Sequence, residues 1–432
     1  MLRGIARFAV VCLIATPVAA QQPTVPPRIE QFQTDDAPAP APPTPPAEGV
    51  PLEELVFLAQ TANPSLREAA AKVRVSQGEA LQVGMCPNPT FYMGSPQWTG
   101  SISQYNWYVG QDFITGHKLQ LNRAAKLREV EQAQLELTRV RFEVLTNVRR
   151  QFYATAAAQR RVEVLDELMG VALRSRDVGQ KLMKAGETNR ADATLLDIEY
   201  DKALLARQNA VATLEASRKQ LSAVVGMPEM DFGPLRFDLA LPLPQYDIEG
   251  VRQGVVDTNA VAGSAAVEIQ RTQTLLRRAL REPWPNFNIQ AGYQYSVEDT
   301  HHDQGYAQLA MTMPIWNRNQ GGIRAARADT ARAMAGLQRT ENELSRQVAE
   351  ALGRYLAADQ RVSVYEKQIR PKAKDVFRVN QNLFEQGQTD FLRLLQAQRT
   401  LIDADLDYVD AQEARWTAAA TIAGLLQLEQ FP

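Results

Sequence analysis

The sequence predicts a fold of long α-helical coiled-coil hairpins joined to strands of a membrane β-barrel, with this arrangement occurring twice in one chain. Three observations predict it. Landmark residues recur at a nearly constant spacing, two pairs of segments alternate between apolar and polar residues, and two helical segments are too long for a compact domain. Four strands cannot close a barrel, and a membrane sheet must close, so three chains are expected to pool twelve strands.

The N-terminal residues are expected to direct the chain out of the cytoplasm. Arg3 and Arg7 precede an apolar stretch that ends in a small-residue cleavage pattern, so residues 1–20 are interpreted as a signal peptide. Residues 21–50 are Pro-rich and are predicted to form an extended linker, with a partner-binding motif as the second interpretation. The remainder is divided into a first repeat, 51–245, and a second repeat, 246–432.

The two repeats are recognised by their shared landmarks. A repeat of this length is a duplicated domain rather than a short solenoid unit, and each copy is expected to run helix, two strands, very long helix, shorter helix. The landmark pairs are Asn63 with Asn259, Pro89 with Pro285, Gly186 with Gly387, and Gly226 with Gly424.

The strand pattern is clearest in the second repeat, where apolar and polar residues alternate strictly over 286–297. The segment 306–313 repeats the pattern after a turn predicted at 299–305. The apolar face is expected to contact membrane lipid, and the amide-rich face to line a water-filled lumen. The lumenal residues on the clearest strand are Asn288, Gln290 and Gln294.

The first repeat has a weaker version of the same strand pair. Residues 105–113 alternate, and 91–94 is a short candidate partner that Pro96 is expected to end. Alternation also occurs in soluble β-sandwiches, and this interpretation stays open. Segments of ~9–11 tilted residues are the length that spans a bilayer, which favours the barrel.

Two helical rods follow the strand pairs. Residues 118–185 contain no proline, and the second rod carries apolar residues at coiled-coil spacing from Leu344 to Leu383. The return helices are expected at 190–225 and 391–428. They are little more than half as long as the rods, so the helices before the strands, at 52–85 and 248–281, are expected to stack end to end with them.

Each rod ends at a G-x-T turn. Gly186 and Gly387 can take the left-handed conformation past a helix end. The next helix is then capped by Thr188 or Asn189 in the first repeat, and by Thr389 or Asp390 in the second.

These patterns together resemble the TolC-type outer-membrane factors, the outer membrane efflux protein family, and are most similar to its CzcC-like heavy-metal branch. The resemblance covers roughly residues 51–430 and rests on the duplicated element order. The quoted motifs are AGETNRAD at 185–192, MPIWNRNQG at 313–321 and GQTDFLRLLQAQR at 387–399.

The resemblance implies a homotrimer with one twelve-stranded barrel in the outer membrane and an α-helical periplasmic tunnel. It implies a periplasmic adaptor protein and an inner-membrane pump of the RND type as partners. Some members narrow the tunnel entrance with aspartates, whereas this chain has Arg393 and Gln396 at the matching positions. The residues implied to contact the adaptor are Gly186, Glu187, Thr188, Asn189, Arg190, Asp192, Gly387, Gln388, Thr389, Asp390 and Phe391.

Arg393 is expected to line the closed entrance and to pair with an acidic residue of a neighbouring helix or chain, such as Asp192 or Asp390. The cargo is expected to be metal cations, with organic toxicants or type I secreted proteins as alternatives. A periplasmic structural coiled-coil protein is the alternative of a different class.

Catalysis is not expected. The sequence lacks a phosphate-binding glycine loop, a nucleophile elbow and paired metal-ligand spacing on a helix, so no cofactor is expected. The sequence has 47 basic and 49 acidic residues, a balance that argues against nucleic acid as a partner. His301, His302 and Asp303 form a weak candidate metal site in a hairpin turn.

Overall fold

A computed structural model describes residues 49–97, 103–186, 189–244, 246–297, 302–386, 388–389 and 391–431. The predicted signal peptide and the Pro-rich linker up to residue 48 lie outside these ranges. The folded part begins before the predicted end of the linker. Val50 is 2% exposed, and its backbone pairs with Pro234 and Arg236 through hydrogen bonds of 3.1 Å each.

The described chain is mostly helical, with one four-stranded sheet. Among the described residues, none of the helices combines the length and the apolar character needed to cross a membrane. The helices are α1 (Leu52–Ala62), α2 (Pro64–Val83), α3 (Lys118–Ala185), α4 (Arg190–Val225), α5 (Ile248–Thr258), α6 (Ala260–Arg281), α7 (Gln320–Val364), α8 (Arg370–Glu385) and α9 (Phe391–Leu425), and the strands are β1 (Thr90–Gln97), β2 (Ser103–Phe113), β3 (Phe287–Val297) and β4 (His302–Met311).

The helices before the strands are broken, which corrects the prediction of one continuous helix in each repeat. The breaks fall at Asn63 and Asn259, where the backbone is extended. Pro64 disfavours the helical conformation for the residue before it, which explains the first break. At both breaks the Asn side chain caps the next helix by accepting a hydrogen bond of 2.9 Å from a backbone N–H, that of Ser65 or of Val261.

The same two asparagines join helices end to end, as the helix lengths predicted. Asn63 Nδ2 donates to the carbonyl of Val224 near the end of α4 at 2.9 Å, and Asn259 Nδ2 donates to that of Leu425 at the end of α9 at 3.0 Å. The α4–α2 stack therefore lies along α3, and the α9–α6 stack along α7. At 1.5 Å per residue, the 68 residues of α3 make a rod of about 100 Å.

One predicted landmark pair is wrong. Gly226 ends α4 in the left-handed conformation, with φ of 95°, but Gly424 lies inside α9. The left-handed residue after α9 is Gln427, with φ of 56°. In both repeats, the backbone N–H of the next residue donates to a carbonyl in the last turn of the helix. Met227 donates to Ser222, and Leu428 donates to Ala423, each at 2.9 Å. Gln427 is thus the structural counterpart of Gly226, because an αL residue with the same Schellman bond closes both helices.

The second rod is not a continuous α-helix. Tyr365–Ile369 forms a π-helical turn between α7 and α8. In a regular α-helix, the ring of Pro371 would collide with the carbonyl four residues earlier, and Pro371 has no N–H to bond to that carbonyl. The π turn before Pro371 relieves this collision. The extra residue rotates α8 by about 100°. The predicted apolar seam is therefore buried from Leu344 to Val362, whereas Val376 and Val379, beyond the turn, are about half exposed in the chain.

The strands form one antiparallel sheet in the order β1-β2-β3-β4, so the two repeats meet between β2 and β3. β1 continues past Pro96, which falls at an irregularity in the register between Gly94 and Gln97. β4 begins at His302, so the predicted turn at 299–305 is wrong for 302–305. Ladder pairing with β3 outweighs the low strand propensity of Asp303 and Gly305.

The main core lies where the helix ends meet. Trp416 is fully buried against Tyr153 and Phe237, with ring centroids 4.9 and 4.8 Å away. Trp416 Nε1 donates to the Leu239 carbonyl at 2.9 Å, so the loop after α4 is held against α3 and α9. Arg149 is 2% exposed and donates to the carbonyls of Leu428 and Glu429, which fixes the chain after α9.

Candidate channel entrance and lumenal face

The first tip joins α3 to α4 at one end of the rods. Gly186 has φ of 76°, which favours glycine, and its N–H bonds to the Met183 carbonyl at 3.1 Å. Asn189 caps α4 by accepting a hydrogen bond of 2.8 Å from the backbone N–H of Asp192. Asn189 is thus one of the two caps predicted from the sequence. Arg190 is exposed at the first position of α4, and Glu187 and Thr188 lie outside the described residues.

The second tip joins α8 to α9 by a similar closure. The Gln388 N–H bonds to the Leu383 carbonyl at 2.8 Å, which ends α8, and Thr389 follows before α9 begins at Phe391. Gly387 and Asp390 lie outside the described residues.

The two hairpins touch just behind their tips. Leu196 of α4 and Leu395 of α9 form a small buried cluster with Phe384. A few residues after Leu395 and Leu196, Arg399 of α9 forms an ion pair with Glu199 of α4. Glu199 also accepts a hydrogen bond of 3.0 Å from Lys202. Burial by itself would raise the pKa of Glu199, but the hydrogen bonds from Arg399 and Lys202 outweigh it and lower this pKa. The contact fixes the two tips relative to one another within the chain.

The predicted entrance residues lie on the first two turns of α9. Arg393 and Gln396 are both exposed and three residues apart, so they share one side of the helix. Leu394 and Leu395, which lie between them, are buried. Arg393 forms no ion pair with the described residues of its own chain, so its predicted pairing with a neighbouring acidic residue stays a prediction.

Further from the tips, the π turn is tied to α9 by polar contacts. Tyr365 donates its hydroxyl to Asp407 at 2.8 Å. Arg370 donates to Asp405 at 2.6 Å, and its guanidinium lies 4.2 Å from the ring centroid of Tyr408. The asparagine joints and these contacts were missed by sequence reasoning. The Asn63-Pro64 dipeptide could have indicated the break between α1 and α2, and Pro371 could have indicated the π turn between α7 and α8.

The sheet has two chemically distinct faces. On one face, aromatic residues pair across β2 and β3: Trp107 with Tyr293, and Phe113 with Phe287, at centroid distances of 6.4 and 5.0 Å. The other face is amide-rich. The three predicted lumenal residues, Asn288, Gln290 and Gln294, lie together there, and Asn288 Nδ2 donates to Asp112 Oδ1 at 2.7 Å.

Two of the three candidate metal residues, His302 and Asp303, lie at the far end of the sheet from the helices. His301 lies outside the described residues, and His302 and Asp303 begin β4, with side chains that the structure does not describe. Over the described part of the chain, no group of three His, Cys, Asp or Glu side chains could hold a metal ion.

An antiparallel sheet with one amide-rich and one apolar face, joined to duplicated helical hairpins of this length, is the fold of an outer-membrane channel subunit. The predicted fold class is confirmed in this respect. The model of the outer membrane efflux protein family matches residues 262–426 of the chain, which is most of the second repeat. This family consists of outer-membrane channels rather than enzymes.

Two relatives by sequence carry metal-resistance names. The chain is 24% identical over 400 residues to the cobalt-zinc-cadmium resistance protein CzcC of Cupriavidus metallidurans, covering 92% of this chain and 95% of the relative. It is 26% identical over 400 residues to the nickel-cobalt-cadmium resistance protein NccC of Alcaligenes xylosoxydans xylosoxydans, covering 87% and 86%.

Solved structures share the fold. The CusC transmembrane channel matches with a TM-score of 0.75 and 14% identity, over 87% of this chain and 91% of that chain. The outer-membrane protein VceC of Vibrio cholerae matches with a TM-score of 0.71 and 17% identity, over 87% and 96%.

Proposed function

We propose that this chain is the outer-membrane exit duct of a tripartite efflux system and that its cargo is metal cations. The observation that carries the cargo assignment is the similarity to CzcC and NccC along most of the length of each. The competing cargoes, organic toxicants and type I secreted proteins, have no comparable support among these relatives.

The sheet edges support the proposed trimer. β1 and β4 are the outer strands of the described sheet, and each has one unpaired edge. Unpaired backbone groups cost several kcal/mol each in lipid, so the edges must pair with those of other copies. Three chains supply twelve strands, and the helical stacks continue from the barrel into the periplasm as a tunnel.

The tips are the proposed contact with a periplasmic adaptor, which connects the duct to an inner-membrane pump of the RND type. Both tips lie at the helix ends opposite the sheet and expose polar residues such as Arg190 and Gln388. The duct itself is passive. Arg393 and Gln396 form the proposed constriction at the entrance, where the three-fold axis brings three Arg393 side chains together.

Growth of a deletion strain tests the cargo. The strain is compared with its parent on cobalt, zinc, cadmium and nickel salts and on a panel of dyes and detergents. We expect sensitivity confined to the metal salts and restored by the wild-type chain. Sensitivity to organic compounds with normal metal tolerance would reject the metal assignment.

Membrane fractionation tests the duct separately from its cargo. A barrel remains in the outer-membrane fraction after carbonate washing, because its apolar face is embedded in lipid. A periplasmic structural coiled-coil protein would be released by the same wash.

A further inference from the structure

Three tyrosines meet on the amide-rich face of the sheet. Tyr92 of β1 pairs in register with Tyr108 of β2, and their rings stack with centroids 4.4 Å apart at 14°. The ring of Tyr108 also lies 6.1 Å from that of Tyr306 on β4. The register Tyr92–Tyr108–Gly292–Tyr306 places all three rings in one row across four strands.

Gly292 makes this contact possible. β2 and β4 are separated by β3, so their backbones are about 9.6 Å apart. The rings of Tyr108 and Tyr306 therefore approach one another over Gly292, which has no side chain. A Cβ added to Gly292 would lie 2.4 Å from Tyr108 Cβ. The site thus depends on tyrosines from three separate strands and on the missing side chain of Gly292 on the fourth strand.

The surroundings of the row favour positive charge. Among the described side chains of this face, none is cationic and Asp112 carries the negative charge. Asn106, two residues from Tyr108 on the same face, has a buried Oδ1 without a hydrogen-bond partner in the described chain. Tyr108 and Tyr306 are each only partly buried within the chain, so part of each ring faces the space in front of the sheet.

Resting on the trimeric barrel proposed above, we propose that Tyr92, Tyr108 and Tyr306 form an aromatic site on the lumenal wall that binds organic cations of the quaternary ammonium class. Ring faces attract cations through their quadrupole when the cation lies within about 6 Å of the centroid. The face of Tyr108 toward Tyr92 is covered by the stack, so the cation is placed between the rings of Tyr108 and Tyr306, whose planes are inclined by 59°. A twelve-stranded barrel tilted by 35–45° is only about 24 Å wide between backbones, so three such sites at one height share a narrow lumen.

Single-channel recordings of the full-length protein in planar bilayers test the site, with tetrabutylammonium as the probe. The dissociation constant for block is measured for the wild type, Tyr108→Phe and Tyr108→Leu. Phenylalanine keeps the ring face and leucine keeps only apolar bulk. We expect Tyr108→Phe to bind as the wild type does, and Tyr108→Leu to weaken binding about two- to fivefold, the size of an exposed cation–π interaction.

Two further variants separate the site from general effects on the barrel. Tyr306→Leu should weaken block in the same direction, whereas Gln308→Ala, on the same face outside the tyrosine row, should leave it unchanged. Equal block in the wild type and both leucine variants would overturn the site. If the wild-type channel conducts and tetrabutylammonium does not block it, the site alone is overturned. If no channel forms in the bilayer, the proposed duct is rejected together with the site.

Discussion

The asparagine joints allow a sharp test, because one side chain performs two separable tasks. Asn63 Oδ1 accepts from the Ser65 N–H, which caps α2, and Asn63 Nδ2 donates to the Val224 carbonyl, which holds the end of α4. Asn63 is 7% exposed, so water cannot replace either bond. Asn63→Asp keeps an acceptor for the cap, since aspartate caps helices as well as asparagine does, but it removes the donor.

We expect Asn63→Asp to lower the free energy of unfolding by about 1–3 kcal/mol, the cost of leaving a buried acceptor unsatisfied. The carboxylate also faces the Val224 carbonyl oxygen, which adds repulsion. Asn259→Asp should cost a similar amount, because Asn259 bonds to Leu425 in the same way. Urea titration of the detergent-solubilised protein, followed by circular dichroism at 222 nm, measures the change.

Asn189→Asp is the matched control. Asn189 caps α4 through its Oδ1 alone and is exposed, so aspartate can replace it with a change below about 0.5 kcal/mol. If Asn63→Asp were as stable as Asn189→Asp, the bond to Val224 would contribute nothing, and the joint would be an ordinary helix cap.

Two further predictions concern the entrance. Arg393→Ala should raise the single-channel conductance for cations, because it removes three positive charges from the proposed constriction of the trimer; an unchanged conductance would show that Arg393 is not the gate. The lowered pKa of Glu199 means that its pair with Arg399 stabilises the fold above the unfolded pKa of about 4.3 and that this contribution is lost as pH falls below it. Arg399→Gln should therefore cost up to about 1 kcal/mol at pH 7 and less at pH 4 in urea titrations, and an equal cost at both values would contradict the pairing.

The sequence could predict most of the architecture because its signals are local. The bounds of α3 and α4 match the prediction, since the absence of proline from 118–185 and the glycine after it determine where a helix continues and ends. The faces of β3 follow from alternation, which the register confirms. End-to-end stacking followed from lengths alone, because two short helices must together cover one long helix.

The missed features depend on contacts between distant segments. Gln427 takes the left-handed position that Gly226 takes in the first repeat, and no propensity identifies a glutamine there. Among the candidate site residues, the entrance and tip positions came from resemblance to a family. The tyrosine row could not be predicted, because Tyr92, Tyr108 and Tyr306 come together only through the register of the strands.

The two hairpins have diverged after duplication, and they differ at a π turn in the second rod. The first rod is one helix of 68 residues, whereas the second is divided by the π turn at Tyr365–Ile369. That turn is tied to α9 through Arg370 and Asp405. The part of the second hairpin between this turn and its tip carries half-exposed Val376 and Val379, which a neighbouring copy can cover. Because π turns are less regularly bonded than α-helix, bending of the second hairpin is expected at this turn, while the first hairpin has no matching joint.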